Sequence, residues 1–315
     1  MKNVTIIGAG LSGIIAANIL HRHNPKVIEK QSTLPDNHSA VLRFRTDAVS
    51  RATGIKFEKV LVRKGIWDGA TMHNECNIRL ANAYSQNVLG ATNLKDRSIW
   101  DLEAKERFIA PPDFISRAAE SLNINLGMEI VSPDKADPGQ LVISTIPMPI
   151  MVKMFGPSLG FDGGEMFKAP ALPVHTIRAT VKGCSVHQTI YNGQLNKYEW
   201  YRASIHSESL IVESSRKIES PWRVIESVSQ AFGVVLPAGE LNVSEQKAGK
   251  MMPIDETERQ RFISSLSDEF GIFSLGRLAT HRPKLLLDDI PGDIESIFRI
   301  KDSRYQKTKQ ESKKP

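Results

Sequence analysis

Residues 3–30, "NVTIIGAGLSGIIAANILHRHNPKVIEK", decide how this chain folds. Residues 3–7 read as a buried strand, Leu11 to Arg22 as a helix, and "KVIEK" (26–30) as a second short strand. Between the first strand and the helix stand Gly8, Gly10 and Gly13 in GxGxxG spacing. The first glycine permits a tight turn, the second lets backbone approach a pyrophosphate, and the third allows close helix-to-strand packing. Backbone N–H groups of the turn, through Ala9, Leu11 and Ser12, then face the negative phosphates at a helix N-terminus. Glu29 lies 19 residues beyond Gly10, at the end of the second strand, where a carboxylate can accept hydrogen bonds from a ribose diol. Strand, helix, second strand and terminal acid agree on a dinucleotide site, with Lys30 beside the acid as a further contact.

The 315 residues suffice for one large or two interlocked domains, and 41% hydrophobic with 24% charged residues is a globular composition. No apolar run approaches the length of a membrane span, and no signal-peptide cleavage pattern follows the first residues, so a cytoplasmic protein without a membrane partner is expected. Cys76 and Cys184 cannot build a disulfide framework, and the eight histidines lack metal-ligand spacing, so no metal is expected. The formal charge of +6 is concentrated at one end: residues 299–315 carry a net +5. That stretch reads as a flexible basic tail, either solubilising or suited to a polyanion such as DNA.

Further along, "PPDFISRAAESL" (111–122) predicts a helix, and "GMEIV" (127–131) and "GQLVISTIP" (139–147) predict short buried strands. From about residue 170 to 213 the pattern alternates with β-branched and aromatic residues between turn signals, which predicts an antiparallel sheet. A helix is expected at "PWRVIESVSQAFG" (221–233), then a late strand, a Gly-Arg turn and the start of a last helix in "GIFSLGRLATHRP" (271–283). The fold expected is α/β: a nucleotide-binding domain interrupted in sequence by a smaller domain bearing an antiparallel sheet.

"GAGLSGIIAANIL" with "VIEK" resembles the FAD-binding opening of the flavoprotein group that includes amine oxidases, protoporphyrinogen oxidase and UDP-galactopyranose mutase. "LVISTIPMPIM" (141–151) resembles the passage by which those proteins leave the FAD domain. "FSLGRLATHRP" (273–283) resembles the late segment that faces the flavin pyrimidine edge, with Gly276 and Arg277 at the turn and a following helix N-terminus whose dipole would favour reduced flavin. The resemblance implies a Rossmann-like FAD-binding domain of residues 1–75, 105–150 and 250–298, a substrate domain of 76–104 and 151–249, and non-covalent FAD. Ile130 is placed beside the cofactor as well. Family members usually carry a glycine pair after the acid; here that place reads "DNHSAVLRFR" (36–45), so His38, Ser39 and Arg43 become candidates for cofactor contacts, the alternative for Arg43 being an exposed strand face.

An isoalloxazine carries its own redox chemistry, so the protein is expected to supply orientation and electrostatics. The first functional expectation is an amine-oxidase-like, FAD-dependent oxidoreductase acting at a carbon that bears an amine, with His281 as the candidate catalytic base. On "YEWYRASIH" (198–206), Trp200 and Arg202 share a face if the strand is regular, and an arginine with an aromatic suits an anionic substrate; Arg178 joins them, and Tyr201 replaces Arg202 if the register slips by one. Alternatives are a UDP-sugar mutase-like isomerase, with Arg178, Arg202 and Arg282 clamping a diphosphate, and an NAD-dependent dehydrogenase sharing the first turn. The resemblance extends in size to small flavoproteins of bacteriophage pathways that elaborate thymine in DNA. It implies an amino-acid-modified base as the favoured amine, with DNA contact through the basic tail.

Overall fold

A computed structural model describes residues 3–34, 41–92, 98–130, 135–137, 139–168, 171–195, 199–236 and 239–311. The chain divides into two compact units: residues 1–58, 110–170 and 252–315 form the first, and 59–109 and 171–251 the second. The split moves all four joints of the sequence expectation, two of them by many residues. Residues 59–75 belong to the second unit, because strand Glu58–Trp67 pairs with His187–Asn192. Residues 151–170 stay with the first unit, where helix Met148–Leu159 packs Met151, Val152 and Phe155 into its core. "LVISTIPMPIM" therefore passes from a strand into a helix of the same unit.

The first unit is built on a five-stranded parallel sheet in the order Ile272–Ser274, Gln140–Ser144, Asn3–Ile7, Lys26–Ile28, Asn123–Asn125. Strand Asn3–Ile7 is central, and Val4, Ile6 and Ile7 are buried as a parallel strand's apolar run requires. Helix Leu11–Ile19 buries Ile14, Ile15, Ala16 and Ala17. It ends earlier than Arg22 because a 3-10 turn, His21–His23, closes it before Asn24 takes a left-handed conformation. Asn18, buried on this helix, donates to the carbonyls of Ile14 at 2.9 Å and Ala118 at 2.8 Å, tying it to helix Phe114–Ala119.

Two local expectations are corrected here. The fifth strand is Asn123–Asn125, and residues 127–130 are not a strand: Gly127 and Met128 donate to Gln31 and Glu29 carbonyls in a loop that runs beside the end of the second strand; Val131 lies outside the described residues. Residues 299–311 are helical, continuing the helix Ile290–Glu311. Ile290, Ile294 and Ile297, spaced as one helical stripe and all buried, anchor that helix, so the charged stretch extends a helix already nucleated by its apolar half.

The second unit carries a larger sheet with the order Asn242–Lys250, Leu172–Thr180, Ser209–Ser214, Arg202–His206, His187–Asn192, Glu58–Trp67, Lys105–Ile109. One face packs Ile177, Ile190, Ala203, Ile205, Leu210 and Val212 against helix Pro221–Phe232, which contributes Val224, Ile225 and Val228. The helix starts with Pro221 at its first turn and ends at Gly233 in the left-handed region. The opposite face is mixed, with Ser204 opposite Ile211 and Thr189 and Arg202 opposite Glu213 and Tyr191, while Ile66, Tyr191 and Tyr201 pack with Leu80, Tyr84 and Val88 of helix Ile78–Leu89.

Candidate functional site

In the parallel sheet the chain runs from its central strand out to one edge and then returns to the other side of that strand. The order therefore reverses between Asn3–Ile7 and Gln140–Ser144, and ligands bind open parallel sheets at the carboxyl ends of strands at such a switch point. The glycine turn stands there. Gly8 has φ of +97° and donates to the Ile28 carbonyl at 2.8 Å; a Cβ on it would lie 2.5 Å from Thr145 Oγ1. A Cβ at Gly13 would lie 1.9 Å from the Gly8 carbonyl oxygen, so the helix sits directly on the turn. Gly10 differs from both: a Cβ there meets nothing within 4 Å. Gly10 also caps the helix with no side-chain hydrogen bond, so the first helical N–H groups beyond it have no side-chain cap.

Glu29 follows the second strand and accepts from the Ala9 N–H at 2.7 Å through Oε2 and from the Gln31 N–H at 2.9 Å through Oε1. An ionised carboxylate offers about four acceptor positions, so a ribose diol can still be bound beside the turn. Thr145, which the sequence reading did not single out, closes the floor: its N–H donates to Ile7 O at 2.8 Å, and its hydroxyl lies 3.0 Å from Ile7 O and 3.1 Å from Gly8 O. Its only signal in the sequence was a position one residue beyond an apolar strand.

The late Gly-Arg segment reaches the same place. Leu275 N–H donates to Ser144 O at 2.9 Å, and Gly276, with φ of +86°, is so close to the first helix that a Cβ would lie 2.4 Å from Ser12 Oγ. No helix starts after it, contrary to expectation. Residues 276–282 form one turn closed by the Thr280 N–H and hydroxyl on the Gly276 carbonyl and ended by His281 with φ of +45°. The helix dipole expected there is therefore missing. Arg259, buried on helix Glu256–Phe270, supports the turn by donating to Thr280 O at 2.8 Å.

His281 is buried, its ring edge-on to Phe167 with centroids 5.3 Å apart. Its Nε2 lies 2.9 Å from the Met252 carbonyl oxygen, and a carbonyl only accepts, so the neutral ring carries its proton on Nε2. Nδ1 is then a buried lone pair with no hydrogen-bond partner among the described residues. Arg282 is engaged elsewhere: Nε donates to Thr280 Oγ1 at 3.0 Å, and Nη2 pairs with Asp293 on the last helix. Arg277 is exposed at the turn.

The remaining candidates are dispersed. Lys30 pairs with Glu129 at 2.5 Å in solvent. Ile130 is half-buried against the core that includes Ile7 and Val142, and Arg43 is half-buried on the short strand Arg43–Phe44. His38 and Ser39 lie outside the described residues.

In the second unit Trp200 does not share a face with Arg202. The regular strand begins only at Arg202, and Trp200 turns into the core under helix Pro221–Phe232, fully buried, with its indole N–H donating to Ser227 Oγ at 2.9 Å. It is a packing residue and presents no surface to a ligand. Tyr201 is buried in a separate cluster with Tyr84 and Tyr191, and the Lys250 ammonium sits 3.9 Å over its ring. Burial, with the Glu213 charge adding to it, pushes the Tyr201 phenol above its ordinary range, so it serves as a donor and not as a base. Arg202 is held by both carboxylate oxygens of Glu213. Burial alone would lower its pKa, and Glu213 more than offsets this, keeping the guanidinium charged. Arg178, on the neighbouring strand Leu172–Thr180, has a buried Nε without a partner.

No protein-family model matches this chain, and no curated protein matches it in sequence. Solved structures do match its fold. An oxidoreductase from Methanosarcina mazei superposes with a TM-score of 0.59 at 8% identity, over 94% of this chain and 100% of that one. Putrescine oxidase bound to putrescine gives 0.58 at 10% identity, over 95% and 98% of the two chains. A ternary complex of aklavinone-11 hydroxylase with FAD and aklavinone gives 0.51 at 13% identity, over 96% of this chain and 62% of that longer one. The class is therefore an α/β fold with one parallel and one antiparallel-rich sheet, the fold of these FAD-type oxidoreductases.

Proposed function

We propose that this protein is an FAD-dependent oxidoreductase that oxidises a carbon–nitrogen bond of a small amine. The observation that carries the cofactor is the cradle at the switch point: open space at Gly10, a helix start without a side-chain cap, Glu29 beside the turn, and Gly276 against Ser12. These residues fit a dinucleotide, with the N–H groups of Leu11 and Ser12 toward the pyrophosphate and Glu29 toward a ribose diol; the Ala9 N–H, expected at the phosphates, is held by Glu29 instead. When bound, FAD supplies a two-electron acceptor.

The chain's own contribution is positioning and proton handling. An amine is oxidised as its free base, so a group must take the ammonium proton first. His281 supports this role: Nδ1 carries the lone pair, and the ring is fixed by the Met252 carbonyl and the edge of Phe167. On accepting a proton at Nδ1 the imidazolium keeps its Nε2–H bond to Met252, so the ring need not move. The left-handed backbone at His281 is the kind of local strain that clusters at working sites. The isomerase reading is weaker, because Arg202 and Arg282, two of the three arginines it needs, are committed to Glu213 and Asp293. No described feature carries the modified-DNA substrate further.

The test is anaerobic mixing of the purified holoprotein with putrescine and a panel of primary amines, following the flavin absorbance over a range of pH. Bleaching by an amine is expected. His281→Asn, whose side chain tolerates the left-handed backbone, is expected to keep its flavin and lose the wild-type dependence of the bleaching rate on pH. Failure of every amine to bleach the flavin sinks the amine reading; a superimposable pH profile in His281→Asn removes His281 from it.

A further inference from the structure

We propose that Arg178 binds an oxyanion ligand, a carboxylate or phosphate, on the face of the second unit's sheet that lies opposite helix Pro221–Phe232. This anion site stands independently of the oxidoreductase reading above.

Residues directly opposite one another in neighbouring strands share a face. The register runs Asn242, Arg178, Ile211, Ser204, Thr189, Lys64 across six strands, and in the adjacent row Ser244, Thr176, Glu213, Arg202, Tyr191, Ile66. Among the described residues of these two rows there are three cations, Arg178, Arg202 and Lys64, and one acid, Glu213. Glu213 stands diagonal to Arg178, about 7–8 Å away by the usual sheet geometry, and is the acid placed to neutralise it. Both of its oxygens hold Arg202 instead. The hydroxyls nearby are paired with each other, Thr176 with Ser244 at 2.8 Å and Thr189 with Ser204 at 3.0 Å.

Arg178 is thus a half-buried guanidinium whose Nε is sealed from solvent without an acceptor. No acid among the described residues pairs with it, and burial draws its pKa down from the ordinary arginine value. A guanidinium with its Nε sealed from solvent and unpaired is costly to leave alone, and its planar fork matches an oxyanion bidentately. In these two rows the hydroxyl pairs, the Arg202–Glu213 pair and Lys64, which donates to the Asp101 carbonyl, are satisfied internally, so Arg178 is the cation here that an external anion completes.

The experiment compares wild type, Arg178→Gln and Arg178→Lys as purified holoproteins, reading thermal unfolding midpoints at matched ionic strength. The probes are acetate and benzoate, methyl phosphate and phenyl phosphate, and the neutral amides acetamide and benzamide. An oxyanion present at about tenfold over its Kd is expected to raise the wild-type midpoint by about 2 °C more than the matching amide. That rise is expected to vanish in Arg178→Gln and to shrink in Arg178→Lys, which keeps the charge without the fork. A rise confined to carboxylates or to phosphates says which group the ligand carries. The proposal also requires that Arg178→Gln without ligand melts no lower than wild type, since it removes an unpaired charge. Equal effects of oxyanions and amides overturn the proposal, as does an oxyanion effect that survives in Arg178→Gln. A variant too unstable to purify also contradicts it, because Arg178 would then be a structural partner. Absence of flavin would sink the oxidoreductase reading and leave these midpoints interpretable.

Discussion

Replacing Gly10 with alanine separates the cradle's binding role from its folding role. Gly10 has φ of −68° and ψ of 176°, a conformation open to any residue, and its added Cβ meets nothing within 4 Å. Alanine gains about 0.4–1 kcal/mol by restricting the unfolded chain and gives back about 0.5–1 kcal/mol as a poorer N-cap, so stability should change by no more than about 0.5 kcal/mol. The companion Gly13→Ala places a Cβ 1.9 Å from the Gly8 carbonyl oxygen, a backbone atom fixed by the sheet, and should cost about 3 kcal/mol. In the bound state the order inverts. The Gly10 methyl fills the space through which a pyrophosphate approaches the turn, and losing one charge-assisted N–H bond of about 1.5–3 kcal/mol weakens binding roughly tenfold to a hundredfold. Fluorescence titration of apoprotein with FAD, beside thermal unfolding of each apoprotein, reads both quantities. The reasoning fails if Gly10→Ala binds FAD as wild type does, or if its apoprotein is as destabilised as Gly13→Ala.

Two further predictions concern the second unit. Asp68 is held at about 2, below its usual 3.8, chiefly by the hydrogen bond from His73 and then by the N–H groups of Thr71 and Ala70. Its folded value is the lower one, so its contribution is complete above the unfolded value and is lost as pH falls from about 4 toward 2; Asp68→Asn should remove that part of the acid destabilisation seen in urea melts. Trp200→Ala should cost about 3–5 kcal/mol and leave the KM for any substrate unchanged, since the indole is enclosed by the core; a raised KM with normal stability would restore it to a substrate wall.

The opening of the chain was legible because its signals are local. An apolar strand, three spaced glycines and a strand-terminal acid dictate the turn wherever the rest of the chain lies, and the structure places Glu29 on the Ala9 N–H. The late Gly-Arg segment was legible as a place and not as a conformation. Whether the residues after Gly276 continue as a helix depends on His281 turning left-handed and on Arg259 capturing the Thr280 carbonyl, and both are set by tertiary contacts. The sheet face was misread at Trp200 for a related reason. Period-two alternation assumes a strand that is regular from its first residue, and this one begins at Arg202, so the preceding indole swings to the other side to reach Ser227. Glu213 was not anticipated because it meets Arg202 across a hairpin, and Thr145 because its value lies in the neighbouring Gly8. The basic stretch was read by composition alone, which does not register that a buried isoleucine stripe upstream has already started the helix.

The central claim is that the cradle at Gly10 holds FAD. Purified protein should show a flavin absorbance band near about 450 nm, and denaturation should release one FAD per chain, identified by chromatography. Colourless protein that takes up NAD and not added FAD would contradict the account.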